Sequence, residues 1–346
     1  MIWQSNRLAQ LSPAYFGMVM ATGIVSLAFH LRGYPYLANS LFALNSLMYV
    51  VLWVLFGLRF RRFRQAMLAD FASHLTGMGF FTTVAATNIL AVQVLVMAHI
   101  IELALFLWAF GLLLWLGLTY AIFTLFTIKE DKPTLDKGIS GGWLLAVVAT
   151  QSVAVLSAQL ALHIGQPWKL ELNFFALSMW LWGGMLYIWM MSLIFYRYAF
   201  FRFQPSDLAP PYWINMGAMA ISTLAGSLLI INAPDAPFLT SMLAFIKGFT
   251  IFYWATGTWW IPMLLLLGVW RYLYKRFPLH YDPLYWGAIF PLGMYAACTH
   301  ELAQAMDLPF LTPIPTVFLP IAFMAWCMAF IGVLRRLVGH SPSSSH

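Results

Sequence analysis

The chain has 346 residues, of which 62% are hydrophobic and only 8% are charged. Soluble domains carry about 25% charge, so a water-soluble globule is excluded, because its surface would be one apolar patch. Intrinsic disorder is excluded by the opposite excess, which leaves a polytopic membrane protein.

Ten apolar segments follow in chain order, at about 13–31, 39–58, 75–94, 97–128, 141–162, 173–198, 212–232, 240–273, 284–306 and 314–337. Their apolar runs are continuous and do not alternate, so they are expected to cross the bilayer as helices and not as strands of a barrel. The segments at 97–128 and 240–273 are long enough to tilt or to project from the membrane. The stretch 1–12 lacks the basic-then-apolar pattern of a cleaved leader and is expected to be a cytoplasmic N-terminus. Residues 13–337 are expected to form a single ten-helix transmembrane domain, and 338–346 a disordered cytoplasmic tail.

The positive charges test this division. The net charge is +7, and 15 of the 18 Lys and Arg fall at one set of span ends. They are Arg7, Arg59, Arg61, Arg62, Arg64, Lys129, Lys132, Lys137, Arg197, Arg202, Arg271, Lys275, Arg276, Arg335 and Arg336. Only Arg32, Lys169 and Lys247 fall elsewhere. With ten spans the positive-inside rule places both termini in the cytoplasm, in a cell (inner) membrane protein. The basic balance then needs no nucleic acid or acidic partner. Cys298 and Cys327 sit in apolar runs without ligand spacing, so no metal and no cofactor is expected.

A second alternation separates odd from even spans. Eighteen-residue windows in the odd spans hold seven to nine Gly, Ala, Ser or Thr, and those in the even spans hold four or five. Tryptophans do the reverse, from Trp53 and Trp108 to Trp326. Small residues let helices approach closely, and bulky ones suit lipid or an outer layer. The expected architecture is an all-α membrane protein of five helical hairpins, with an inner ring of odd helices around a pore and an outer ring of even helices.

Positions seven apart on a helix nearly share a face. Thr76, Thr83 and Thr87 form such a stripe, as do Thr150 and Ser157, and Asn215, Ser222 and Gly226. In the first span Gly23 shares a face with His30, with Thr22 and Ser26 beside it, and Gly17 and Gly79 add exposed backbone. A pore so lined offers weak donors without fixed negative charge, which suits an anion that must enter and also leave.

The segment SPAYFGMVMATGIVSLAFH at 12–30 resembles the first helix of the tellurite-resistance and C4-dicarboxylate transporter family. That superfamily includes the plant slow anion channels. YWGAIFPLG at 285–293 is similar to its ninth-helix motif, with Ala-Ile where an aromatic-Ser pair is usual. The resemblance implies a homotrimer with one pore per protomer, lined by five inner helices and occluded by a phenylalanine. By the motif that residue is Phe290, followed by the helix-bending Pro291, with Met294 and Tyr295 as lesser candidates. Ordinary core packing is the alternative for Phe290.

Glu301 lies 11 positions beyond Phe290, about 16 Å along the same helical face. Together with His300, Lys247 and Glu102 it is a candidate for the external vestibule or for proton coupling. Mouth-lining or interfacial roles remain open for all four. The leading expectation is an anion channel or facilitator for small inorganic or organic anions. The rival is a secondary transporter, proton-coupled in one version, of C4-dicarboxylates such as malate or of small oxyanions such as sulfite or tellurite-related species. An enzyme is not expected, since no catalytic or haem-binding groups converge at depth.

Overall fold

The computed structural model describes residues 8–278 and 282–337. Expectations for 1–7, Arg7 among them, and for 338–346 lie outside the described residues. Ten long helices follow one another: α1 (Phe16–Leu31), α2 (Pro35–Arg62), α3 (Phe81–Met97), α4 (Ile101–Ile128), α5 (Leu145–His163), α6 (Trp168–Phe200), α7 (Ile214–Asn232), α8 (Leu243–Val269), α9 (Trp286–Ala305) and α10 (Pro313–Leu337). Among the described residues there is no strand.

Nine helical stretches among the described residues are long and apolar enough to cross a membrane, and α9 is not one of them. His300, Glu301 and Gln304 near its end dilute its hydropathy. Packing on α1, α7 and α10 supplies the partners that an apolar lipid-facing side would otherwise need.

The connections alternate in length. α1 turns into α2 through 32–34, where Gly33 takes a φ of 79° that favours glycine. α3 turns into α4 through 98–100, and α5 into α6 through 164–167. The links from even to odd helices are longer, and each ends in a 3₁₀ turn that runs into the next odd helix. These turns are Gly77–Phe80, Gly141–Leu144, Pro210–Trp213 and Pro283–Tyr285, and a fifth, Pro13–Tyr15, leads into α1. Three are capped by side chains: Ser12, Ser140 and Asp282 accept from the backbone N–H two residues on.

The odd helices pack in a cycle: α1 on α3, α3 on α5, α5 on α7, α7 on α9, and α9 on α1. Their 3₁₀ turns touch in the same cyclic order. Each even helix packs on the odd helix before it. The most apolar windows of α1, α3, α5 and α7 are 78 to 94% buried, against 22 to 56% for those of the even helices.

Indole N–H groups fasten the two sets together. On α4, Trp108 donates to Ser157 Oγ and Trp115 to Thr150 Oγ1 of α5, both at 2.8 Å. On α8, Trp254 donates to Thr299 Oγ1 of α9 at 3.0 Å, and on α10 Trp326 donates to Thr22 Oγ1 of α1 at 2.8 Å. On α6, Trp180 donates to the Ser222 carbonyl of α7 at 2.8 Å. Buried amides act likewise: Asn45 on α2 donates to Gln93 on α3, and Asn232 on α7 to Asn173 on α6.

Candidate functional site

All five odd helices begin around one small cavity. Its lining includes Ala14, Gly17 and Met20 from the start of α1, Thr82 from α3 and Leu145 from α5. Pro211 and Ile214 add the start of α7, and Pro283, Leu284, Trp286, Gly287 and Phe290 the start of α9. The volume is about 30 Å³, room for a water molecule or two. Phe290 is 1% exposed.

The cavity walls are apolar, but the backbone around them is not neutral. A helix N-terminus carries about half a positive charge on its unpaired N–H groups. Here five N-termini converge, at the end of the molecule where the basic residues gather. Backbone so arranged places partial positive charge at the cavity, whose lining among the described residues includes no Lys or Arg.

α9 reaches this position through a close contact with α7. A Cβ on Gly217 would stand 2.6 Å from Pro291 Cγ, closer than side-chain carbons approach. Pro291 lies inside α9 and removes one backbone donor just after Phe290. Gly293 lets the same helix close on Ile24 and Val25 of α1, where an added Cβ would lie 3.1 Å from each. Met294 follows Phe290 by one turn and is 1% exposed.

The structure brings Gly17 and Phe290 to the cavity but directs most of the expected hydroxyl lining elsewhere. Thr22, Thr150 and Ser157 accept from tryptophans of even helices, as described above. Ser26 donates to the Ala38 carbonyl of α2, and Thr87 pairs with the Tyr49 hydroxyl of α2 at 2.9 Å. Asn215 donates to the Tyr198 hydroxyl of α6. Thr83 and Ser222 bond the carbonyls of Phe80 and Ala218 on their own turns. Gly226 is pressed on Thr250 and Trp180, and Gly23 on Ile89 and Asn45. Thr76 precedes the helix altogether and bonds the Asp70 carbonyl, while Gly79 packs its leading turn on Pro13 and Ala14. Thr22, Ser26, Thr87, Thr150, Ser157 and Asn215 thus face partners on even helices, where a polar group in an apolar layer finds a hydrogen bond.

The four charged or titratable candidates also separate. Glu102 is exposed at the start of α4, and Lys247 is half-buried in the first turns of α8. Both stand on even helices, away from the cavity. Glu301 is 9% exposed and makes no ion pair among the described residues. His300 pairs with Gln304 at 3.0 Å, and among the described residues neither His300 nor Lys247 forms an ion pair with Glu301. Among the described residues no group of three His, Cys, Asp or Glu could hold a metal ion.

Sequence reasoning missed Met20, Thr82, Leu145 and Ile214. A signal was present: PAYF, GMGF, GGWL, PPYW and PLYW each open an odd helix with Pro or Gly followed by an aromatic.

The chain is similar in sequence to known membrane proteins. The family described as voltage-dependent anion channel matches residues 10–334. An uncharacterized transporter of Methanocaldococcus jannaschii is 26% identical over 334 residues, covering 94% of each chain. A second one from that organism is 26% identical over 335 residues, 94% of this chain and 93% of its own. An uncharacterized membrane protein of Mycobacterium tuberculosis is 36% identical over 164 residues, 46% of this chain and 83% of its own.

Proposed function

The chain belongs to the voltage-dependent anion channel family, and from that premise we propose that it is a transmembrane anion channel or facilitator whose axial pore is closed by Phe290. It is a multi-pass membrane protein in which ten helices, as five hairpins within one domain of residues 13–337, cross the cell (inner) membrane with both termini in the cytoplasm. The odd helices form the inner ring and the even helices the outer one. Three copies assemble as a homotrimer, each with its own pore.

One observation carries this reading: five helix N-termini meet at a cavity that is lined by Phe290 and has room for little more than water. The positive ends draw an anion in, and the apolar ring, backed by Pro291 and Met294, bars it by steric block and dewetting. Gly17 supplies bare backbone at the constriction. The cyclic packing of the odd helices supports the inner ring, and the clustering of cations at one set of helix ends supports the orientation.

A second reading is a proton-coupled carrier of C4-dicarboxylates or small oxyanions. It is favoured by Glu301, a mostly buried carboxyl without an ion-pair partner among the described residues, on the same helix as Phe290. An intramembrane carboxyl so placed is a natural proton site. The two readings part in a reconstituted flux assay with chloride, nitrate, sulfite and malate, with and without a pH gradient. Flux that follows the anion gradient alone supports the channel. Saturable uptake that requires the proton gradient overturns it in favour of the carrier.

A further inference from the structure

A second and larger cavity, about 600 Å³, lies away from the axis on the basic side of the molecule. Its walls are two connections, 69–75 between α2 and α3 and 129–137 between α4 and α5. The polar groups that face it are Ser73, His74, Lys129, Asp131, Lys132 and Lys137. Three ammonium groups thus stand around one hollow with a single carboxylate among them.

None of the three lysines is in an ion pair among the described residues; the pairs found there are Arg59–Asp70, Lys169–Asp235 and Arg197–Asp207. Lys129 Nζ donates once, to the Ala72 carbonyl at 3.2 Å, and Lys132 Nζ once, to the Thr127 carbonyl at 2.8 Å. An ammonium has three N–H groups, so each keeps two for a ligand. Lys137 is exposed on the short helix Leu135–Gly138. Like charges gathered this way repel one another unless an anion sits between them. His74 registers that field: burial first, and then Lys129 and Lys132, hold its imidazole below the ordinary histidine value.

The volume lies within the roughly 300–1,000 Å³ of small-ligand sites, and lysine is a common phosphate binder. We propose that this hollow binds a phosphate group, presented either by a soluble phosphate compound or by a phospholipid head group.

The walls lead directly to the axial mouth. The His74 carbonyl accepts the Trp143 indole N–H at 3.0 Å. Trp143 belongs to the turn Gly141–Leu144, and the next residue, Leu145, lines the axial cavity. On the other wall, 69–75 runs into the turn Gly77–Phe80, close before Thr82 of the same cavity. The His74 ring itself stacks on Phe126 of α4 with centroids 4.1 Å apart. A ligand that fixes these two connections therefore bears on two of the five helix starts around Phe290.

The test uses the purified full-length protein. Its thermal midpoint is titrated with sodium pyrophosphate against sodium sulfate at matched ionic strength, and native mass spectrometry scores retention of phosphatidic acid against phosphatidylcholine. The comparison protein carries Lys129→Gln, Lys132→Gln and Lys137→Gln together. A saturable rise in midpoint with pyrophosphate, weakened about 100-fold or more by the triple change, establishes a soluble phosphate ligand. Retention of phosphatidic acid that the triple change abolishes establishes a lipid one. If the triple variant does not fold, Lys137→Gln alone decides, because its exposed side chain makes no hydrogen bond or ion pair found among the described residues, and a loss of affinity of about tenfold is expected. Wild-type protein that binds neither probe, or variants that bind as tightly as wild type, overturn the site. Neither result depends on whether Phe290 closes a pore.

Discussion

Replacing Phe290 by alanine separates a gate from a core residue. The ring is 1% exposed and borders a cavity of about 30 Å³, so in the closed protein it is held out of water. In the proposed gating, opening the axis exposes it. Burial of a phenylalanine side chain is worth about 1.5–3 kcal/mol, and that amount biases the axis toward closure. At about 1.36 kcal/mol per factor of ten, alanine should raise anion flux roughly 10- to 150-fold. Proteoliposomes loaded with chloride and read by an ion-selective electrode measure this directly. Phe290→Trp, which keeps a large ring, should give no increase. A purely structural Phe290 behaves differently: truncation costs about 3–5 kcal/mol of stability and leaves flux per folded molecule unchanged. Unchanged flux from protein with a wild-type elution profile refutes the gate.

Glu301→Gln keeps the shape of α9 and removes its titratable group. Flux that persists without dependence on a pH gradient fits the channel, whereas abolished proton-driven uptake assigns Glu301 to coupling. Gly217→Ala places a carbon 2.6 Å from the Pro291 ring, so α7 and α9 must separate. An overpacking cost of about 1–3 kcal/mol should lower the thermal midpoint and change flux, whereas Gly117→Ala on α4, with open space at its Cβ, should do neither. A double-mutant cycle of Trp115→Phe with Thr150→Val should return a coupling near 0.6 kcal/mol, the average for hydrogen bonds between membrane helices; a value of zero would sink the fastening role of the indoles. His74 protonates below its ordinary value in the folded chain, so an opened chain takes up the proton first. Its contribution to stability is therefore full above about pH 6.5 and declines as the pH falls toward the folded value. His74→Gln should flatten that part of a melting curve series taken between neutral and acid pH.

The difference in burial between odd and even helices was legible because two side-chain sizes do different work. Gly217 and Gly293 let α9 close on α7 and α1, while Trp108, Trp115, Trp254 and Trp326 each reach across from an even helix to a hydroxyl. Both leave a count in the sequence, and the count alternates with the helices. The direction in which a polar stripe points leaves no such count. A threonine that lines a pore and one that receives an indole N–H have the same spacing and the same neighbours along the helix. Only the energy of the alternatives distinguishes them: in an apolar layer the free hydroxyl takes whichever partner is within reach. For Thr22, Thr150 and Ser157 the partner was an even-helix tryptophan, which the same sequence had already assigned to the outer layer. The indole donors of the even helices thus point to the hydroxyl acceptors of the odd ones. What remains at the axial cavity is Gly17 and Phe290, with Met20 and Thr82, at the starts of α1, α3 and α9. If the proposed pore selects with helix ends and apolar bulk, hydroxyl substitutions such as Thr150→Val should alter stability more than they alter which anion passes.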